Sequence, residues 1–349
     1  MKKERQLDAR EREILDAIVR QYIATGFPIG SKAVAEHFPE SLSAATIRNS
    51  MSDLEAAGFL SQPHISAGRI PTDKAYRFYV DRVAGTQKLS PATERFIDAS
   101  LRSEEIHPDT LMGKISRVLS EVSHSVGLVL GPGLEEKLLE HIKFVRLPDQ
   151  RILAVIVSKP DLIENRVVRV EEEISQDELD RTAEYLNAEF RGWSFGTIRL
   201  EVFRRLEEMK HLCDQLITNA ARLLMWGTLA EESPGTLFID GATKFLDLAE
   251  FEDVRKIKRL LVTFEEKATL VKILNACLQT TGDEVRIFIG RENTTREMQE
   301  CTLIVAPYRY RDRVVGALGV VGPTRMEYSR AITAVEYVAH LCSKLLSIN

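Results

Sequence analysis

Within the segment SAATIRNSMSDLEAAG (43–58), the types and spacing of the side chains suit contact with a nucleic-acid duplex. If Ile47 marks the buried side of a helix, steps of ~100° per residue turn Ala45, Asn49, Ser52 and Ala56 outward, with Thr46 and Arg48 on the flanks. That outward face is small and polar, so the backbone of the helix can come close to base edges in a major groove. Arg48 can reach guanine or a phosphate, and the amide of Asn49 matches adenine. The hydroxyls of Thr46 and Ser52 suit phosphate oxygens.

The segment that follows reads SQPHISAGRIPT (61–72). No acidic residue lies between Glu55 and Asp73, while His64 and Arg69 are present. Pro63 and the pair Ala67-Gly68 predict a tight protruding loop, because glycine tolerates φ > 0. Arg69 is then expected at the tip, away from carboxylates, where phosphate or a narrow minor groove would attract it.

Other chemistry is poorly supplied. The chain has no GxxxxGK[ST], HExxH or GxSxG, and Gly131-Pro132-Gly133 lacks the third glycine of a dinucleotide loop, so an enzyme is not expected. Cys213, Cys277, Cys301 and Cys342 form no CxxC pair, and His211, two residues from Cys213 on a predicted helix, points elsewhere. No metal or cofactor is therefore expected, and reduced thiols in a cytoplasm are. Interleaved aromatics that would stack RNA bases are also lacking. Near the C-terminus, Glu292 and Asn293 (in GREN) and Arg325 (in GPTRM) have two readings. They can line a ligand pocket, with Arg325 meeting an anion, as in a metabolite-responsive regulator. They can equally be turn and packing residues, with Glu292 pairing an arginine.

These residues need elements to hold them. Asp8-Ala9-Arg10-Glu11 has capping-box spacing, and an apolar stripe through Ile14, Ile18 and Tyr22 runs to Gly26 and Pro28. Ser31 is placed to cap a short second helix ended by Pro39, and Ser43 to cap a third ending at Gly58. Strand fragments at 59–61 and 69–71 flank the loop, and Thr72 is placed to cap a helix through Tyr76, Tyr79 and Val83. Three helices and a hairpin in this order predict a winged helix-turn-helix. Residues 85–88 read as a linker and 92–125 as helical, followed by a buried strand in SVGLVLGPG. A three-stranded antiparallel meander is expected at 142–147, 152–158 and 163–170, then a helical block from about 176 to 230. Beyond Pro234, strands at 236–240, 259–264, 285–289, 301–307 and 313–321 alternate with helices at 250–258, 267–280 and 327–347, an α+β sensor-type pattern.

The 349 residues carry a net charge of −5, which argues against a generic polycation. Residues 1–85 hold 12 basic and 11 acidic side chains, leaving −6 on the remainder, so contact with nucleic acid must come from a local patch. The N-terminus has no apolar signal region, and no window approaches the ~18 apolar residues of a membrane span.

The segments YIATGFPIGSKAVAEHF, SAATIRNSMSDLEAAGFLSQPHISAGRIPT and YRFYVDR resemble the N-terminal domain of the HrcA family of bacterial heat-inducible transcription repressors. IFIGREN (287–293) and VVGALGVVGPTRMEYSRAI (314–332) match that family's other marked segments, and the resemblance spans essentially the whole chain. One departure is Ala75, where the family more often has glycine before the tyrosine. The resemblance implies an α+β multidomain chain: a winged helix-turn-helix over 1–85, a GAF-like α+β domain built from 86–134 and 234–349, and a dimerisation domain inserted at 135–233. It further implies a dimer on double-stranded DNA at an inverted-repeat operator called CIRCE, controlling chaperone operons, with activity maintained by a GroEL-type chaperonin. The expected setting is cytoplasmic, at the nucleoid when bound to the operator.

Overall fold

The structure is a computed structural model. It describes residues 7–38, 43–64, 67–84, 88–102, 108–133, 137–159, 162–170, 174–208, 219–221, 223, 236–247, 262–264, 270–275, 284–310 and 313–348. The expected helix at 250–258 and stop at Pro39 lie outside these, as do Gly85–Gln87, His211, Cys213 and Cys277.

Helix α1 (Ala9–Thr25) begins with the predicted capping box, in which Asp8 and Glu11 accept each other's backbone N–H, and ends at Gly26 with φ 72°. Ile14, Leu15, Ile18 and Val19 are fully buried. Helix α2 (Ser31–Ala35) starts one residue earlier than expected: Gly30 is its N-cap, without a side-chain bond, so Ser31 is not the cap. Helix α3 (Ala44–Ala56) is capped by Ser43, whose Oγ accepts the Thr46 N–H at 3.1 Å. Strands β1 (Leu60–Ser61) and β2 (Ile70–Pro71) pair antiparallel, and Ile29 adds a one-residue bridge to Arg69. Thr72 stands at the N-cap of α4 (Asp73–Val83), but its hydroxyl does not cap that helix. It donates toward the Gly58 and Phe59 carbonyls at 2.8 and 3.0 Å, tying α4 to the end of α3.

The expected single helix at 92–125 is two, α5 (Pro91–Leu101) and α6 (Pro108–Ser123). Arg102 turns extended after α5, and Pro108 suits only a first turn. Strand β3 (Val126–Leu130) is buried throughout.

The meander is present as β4 (Leu138–Leu147), β5 (Arg151–Lys159) and β6 (Leu162–Arg169), in that order and antiparallel. Helices α7 (Gln176–Phe190) and α8 (Phe195–Glu208) accompany it. The inner face of this sheet (Ile142, Phe144, Ile152, Ala154, Ile156) shares a core with Leu179, Leu186, Phe190 and Val202. Its outer face carries an apolar patch interleaved with polar residues, since His141, Lys143 and Asn165 lie in the same outward rows as Val155 and Val157. Register places Val145, Leu153 and Val167 in one row and Val157 opposite Ile163, with Ile163 67% and Val167 55% exposed.

A second sheet has the order β7-β3-β10-β9-β8, all antiparallel, with β7 (Leu237–Asp240), β8 (Arg286–Ile289), β9 (Cys301–Tyr310) and β10 (Arg313–Pro323). Strand β3, which precedes the meander, thus sits between two strands that follow it. Strict alternation splits the residues of this sheet between two faces. Val129, Ile304, Ala306, Leu318 and Val320 pack with α6 and the C-terminal helix α9 (Tyr328–Ile348). Leu128, Leu130, Leu303 and Val305 pack with Phe264, Leu270, Val271 and Leu274. Residues 262–264 are helical, which corrects the expected strand at 259–264. Phe264 there covers a sheet face, while Val262 is exposed. Cys301 and Cys342 are buried free thiols, and burial pushes Cys301 up to about 12.

Candidate nucleic-acid interface

The outward face of α3 is as open as periodicity predicts. Ala45, Arg48, Asn49, Ser52 and Ala56 are exposed, whereas Ile47, Ser50, Met51 and Leu54 are buried. Among the described residues neither Arg48 nor Asn49 has a side-chain partner, which leaves both available to a ligand. Thr46 and Ser52 are more committed. The Thr46 hydroxyl lies 2.9 Å from that of Ser43, and Ser52 Oγ donates to the Arg48 carbonyl at 3.1 Å. Each keeps lone pairs, but part of its bonding capacity supports the helix itself.

The hairpin differs from expectation at its one arginine. Arg69 is not at the tip. It sits at the base, where its backbone exchanges both hydrogen bonds with Ile29, at 2.8 and 2.9 Å. Its guanidinium reaches Glu55 of α3 at 2.8 Å, and its side chain is only 19% exposed. The stretch 56–72 is free of acids, but folding back brings the carboxylate that precedes it against Arg69. Gly68 is required for a related reason: a Cβ there would lie 2.4 Å from the Ile29 carbonyl oxygen. Close backbone approach, and not a positive φ, excludes a side chain. The turn is tight, with the Ala67 N–H donating to the His64 carbonyl at 2.9 Å and Gln62 Nε2 reaching Ala67 O at 3.0 Å. Exposed His64 is the titratable group nearest the tip.

Glu292, Asn293 and Arg325 each make contacts within the fold. Asn293 is buried, and its Nδ2 donates to the carbonyls of Gly290, Met298 and Cys301 at 3.0, 3.1 and 2.9 Å, holding the turn after β8. Glu292 pairs with Arg77 of α4 through both carboxylate oxygens and accepts the Ile289 N–H at 2.9 Å. Arg325 Nη1 donates to Ile23 O at the end of α1 at 2.8 Å. The packing reading, with Glu292 held by an arginine, describes these contacts. Sequence reasoning passed over Arg77. The available signal was slight: YRFYVDR carries two arginines and an aspartate, and IFIGREN one arginine and one glutamate, so the charges alone single out no pair.

Electrostatics follow these contacts. Burial pushes the Glu292 carboxyl up, yet the Arg77 hydrogen bonds, the Ile289 N–H and the Arg77 charge outweigh it and hold the group below its ordinary value. The Glu292 hydrogen bond raises Arg77 correspondingly. The described residues contain no cluster of His, Cys, Asp or Glu that could hold a metal.

Helix order, paired hairpin and an open third helix define a winged helix-turn-helix module, here carried on a larger α+β body. Comparison with known proteins specifies the family. Residues 6–82 match the profile "Winged helix-turn-helix transcription repressor, HrcA DNA-binding", and residues 109–332 match "HrcA protein C terminal domain". The heat-inducible transcription repressor HrcA of Syntrophobacter fumaroxidans is 38% identical, over 97% of this chain and 97% of its own. That of Geobacter sulfurreducens is also 38% identical, over 97% and 98%. A crystal structure titled as a hypothetical protein at 2.2 Å resolution shares the fold, with a TM-score of 0.65 at 21% identity over 98% of this chain and 99% of the other. The chain belongs to the HrcA family.

Proposed function

We propose that this protein is a transcription repressor of heat-shock operons that binds an inverted-repeat operator of the CIRCE type as a homodimer. The observation that carries this reading is the open face of α3, where Arg48 and Asn49 stand exposed and unpartnered among the described residues beside a short hairpin wing. Arg48 reads guanine or phosphate, Asn49 reads adenine, and Ala45 and Ala56 let the helix seat deeply. Thr46, Ser52 and His64 supply backbone contacts, and Arg69 acts mainly by fixing the wing against α3. Supporting the repressor role, relatives of the same length bear the name heat-inducible transcription repressor.

One module reads too few base pairs to stand out from a genome, whereas two related by symmetry read a palindrome. The apolar patch on the outer face of the β4-β5-β6 sheet, set among His141, Lys143 and Asn165, supports that dimer. An antiparallel sheet covered on one side normally turns polar residues to water, yet this one presents Leu153, Val155, Val157, Ile163 and Val167. A second copy facing the same surface would cover them. Residues 135–233 then form the inserted dimerisation unit, and 86–134 with 234–349 the GAF-like unit. Modulation by a GroEL-type chaperonin and a cytoplasmic, nucleoid-associated setting complete the reading, supported by the family resemblance. Among the described residues no helix is long and apolar enough to cross a membrane.

Footprinting on a fragment bearing an inverted repeat, with and without chaperonin, tests it. Symmetric protection of both half-sites that strengthens with chaperonin is expected. Protection of neither half-site overturns the repressor reading.

A further inference from the structure

Two polar contacts, one at α4 and one at the end of α1, join the winged helix to the α+β body, and both use residues of the conspicuous C-terminal motifs. At the first, Arg77 of α4 grips Glu292 through both carboxylate oxygens and also donates to the Ile287 carbonyl. One turn earlier, the Asp73 carboxylate accepts the Arg291 N–H at 3.1 Å, against Gly290. Gly290 has φ 53°, and a Cβ there would lie 2.3 Å from that carboxylate, so the turn is shaped to receive Asp73. At the second, Arg325 bonds the last turn of α1 at Ile23 O, its guanidinium lying over Gly26. Tyr76 and Tyr79 pack on Tyr328, with ring centroids 5.7 and 6.4 Å away.

We propose that Arg77–Glu292 and Arg325–Ile23 act as a clamp that sets the angle of each recognition helix to the dimer axis, and thereby the half-site spacing the dimer accepts. The inference rests on the operator-binding dimer proposed above. Buried apolar packing joins the module to the body in one continuous core. Directional bonds to a carboxylate and to a helix-end carbonyl fix its orientation. The recognition face of α3 stays exposed while both contacts are made, so the clamped state is compatible with DNA. Leverage makes the angle matter. On an arm of roughly 20 Å, a swing of about 10° moves the helix by about 3.5 Å, one base-pair step. Arg77, Glu292 and Arg325 are on this account positioning residues, since none lies on the open face of α3.

The test measures binding of the full chain to synthetic inverted repeats whose spacer is varied one base pair at a time, and to an isolated half-site. Wild type is expected to prefer one spacing by at least about tenfold, because shifting by half a helical turn puts the half-sites on opposite faces. Glu292→Gln combined with Arg325→Ala should lower affinity at that spacing about tenfold and flatten the preference to under about threefold. Half-site affinity should stay within about twofold, because losing fixed geometry removes the advantage of linkage and not the contacts themselves. The single variant Glu292→Gln, nearly isosteric, keeps the test interpretable if the double variant folds poorly. A variant that retains the wild-type spacing preference overturns the clamp alone. An equal loss on the half-site also overturns it, by showing that these residues merely support the module. Wild type that binds no inverted repeat overturns the operator reading and the clamp with it.

Discussion

Replacing Asn49 with alanine removes an exposed amide and disturbs no described partner, so the protein should fold as before while losing discrimination at one base. A bidentate pair is worth about 1–3 kcal/mol and a homodimer loses it in both half-sites, which predicts operator binding weaker by roughly 30-fold or more for Asn49→Ala or Arg48→Ala. Mobility shifts paired with circular dichroism check this, and intact binding by Arg48→Ala would remove Arg48 from the groove. Arg69→Ala should behave differently. It severs the half-buried pair with Glu55, costing roughly 1–2 kcal/mol of stability, and loosens the wing, so that binding weakens evenly across operator sequences. A thermal melt of Glu55→Gln should show part of the same loss. Acid acts at Glu292. Because its folded carboxyl titrates below the ordinary value, the Arg77 pair contributes fully above the unfolded glutamate range. That contribution is lost as pH falls through the depressed folded value. The Glu292 contribution should therefore be constant between about pH 6 and 8, and Glu292→Gln should shrink the loss seen in acid.

At the scale of elements, Gly68 is the position where backbone meets backbone. Gly68→Ala must push β2 away from Ile29, at a cost of roughly 1–3 kcal/mol, and should reduce operator affinity through the displaced wing. Differential scanning calorimetry and binding on the same preparation check both effects. That Gly68 had to be glycine was legible, but the reason was not, since Ile29 lies far back in the chain. The same distinction runs through the fold. The capping box at Asp8, the Ser43 cap, the open face of α3 and the meander were readable because their causes lie within a few residues. Pro108 was a readable break between α5 and α6 that helical periodicity overrode. The helical state of 262–264 could not be read, because it depends on a sheet face that only tertiary assembly creates. Glu55 against Arg69, and Glu292 against Arg77, are likewise products of folding back, so sequence could offer only the charges and not their pairing.

For the whole molecule, the outer face of the β4-β5-β6 sheet is the place to break assembly without unfolding a protomer. Ile163 and Val167 are exposed, so Val167→Lys should leave the circular dichroism spectrum unchanged while converting the proposed dimer to monomer in sedimentation, removing any concentration dependence of the melting temperature and lowering operator affinity. If the dimer neutralises roughly 6–10 phosphates, affinity should fall about 10³–10⁵-fold between about 50 and 200 mM salt. An affinity that barely moves with salt would count heavily against duplex binding.

The place of β3 in its sheet also bears on how the molecule is born. Its strongly apolar VGLVL leaves the ribosome about 100 residues ahead of β7 and further still ahead of β10, the two strands that flank it. At roughly 5–20 residues per second, a sticky edge waits unpaired for about 5–20 seconds while the intervening unit can already mature on its own core. In refolding of the intact chain the synthesis delay is absent, but β3 must still find partners far along the sequence, so refolding should be slow and lose yield with concentration, and a yield independent of concentration would refute this. A polypeptide with that delay written into its strand order has reason to need shelter in its first moments, quite apart from any heat.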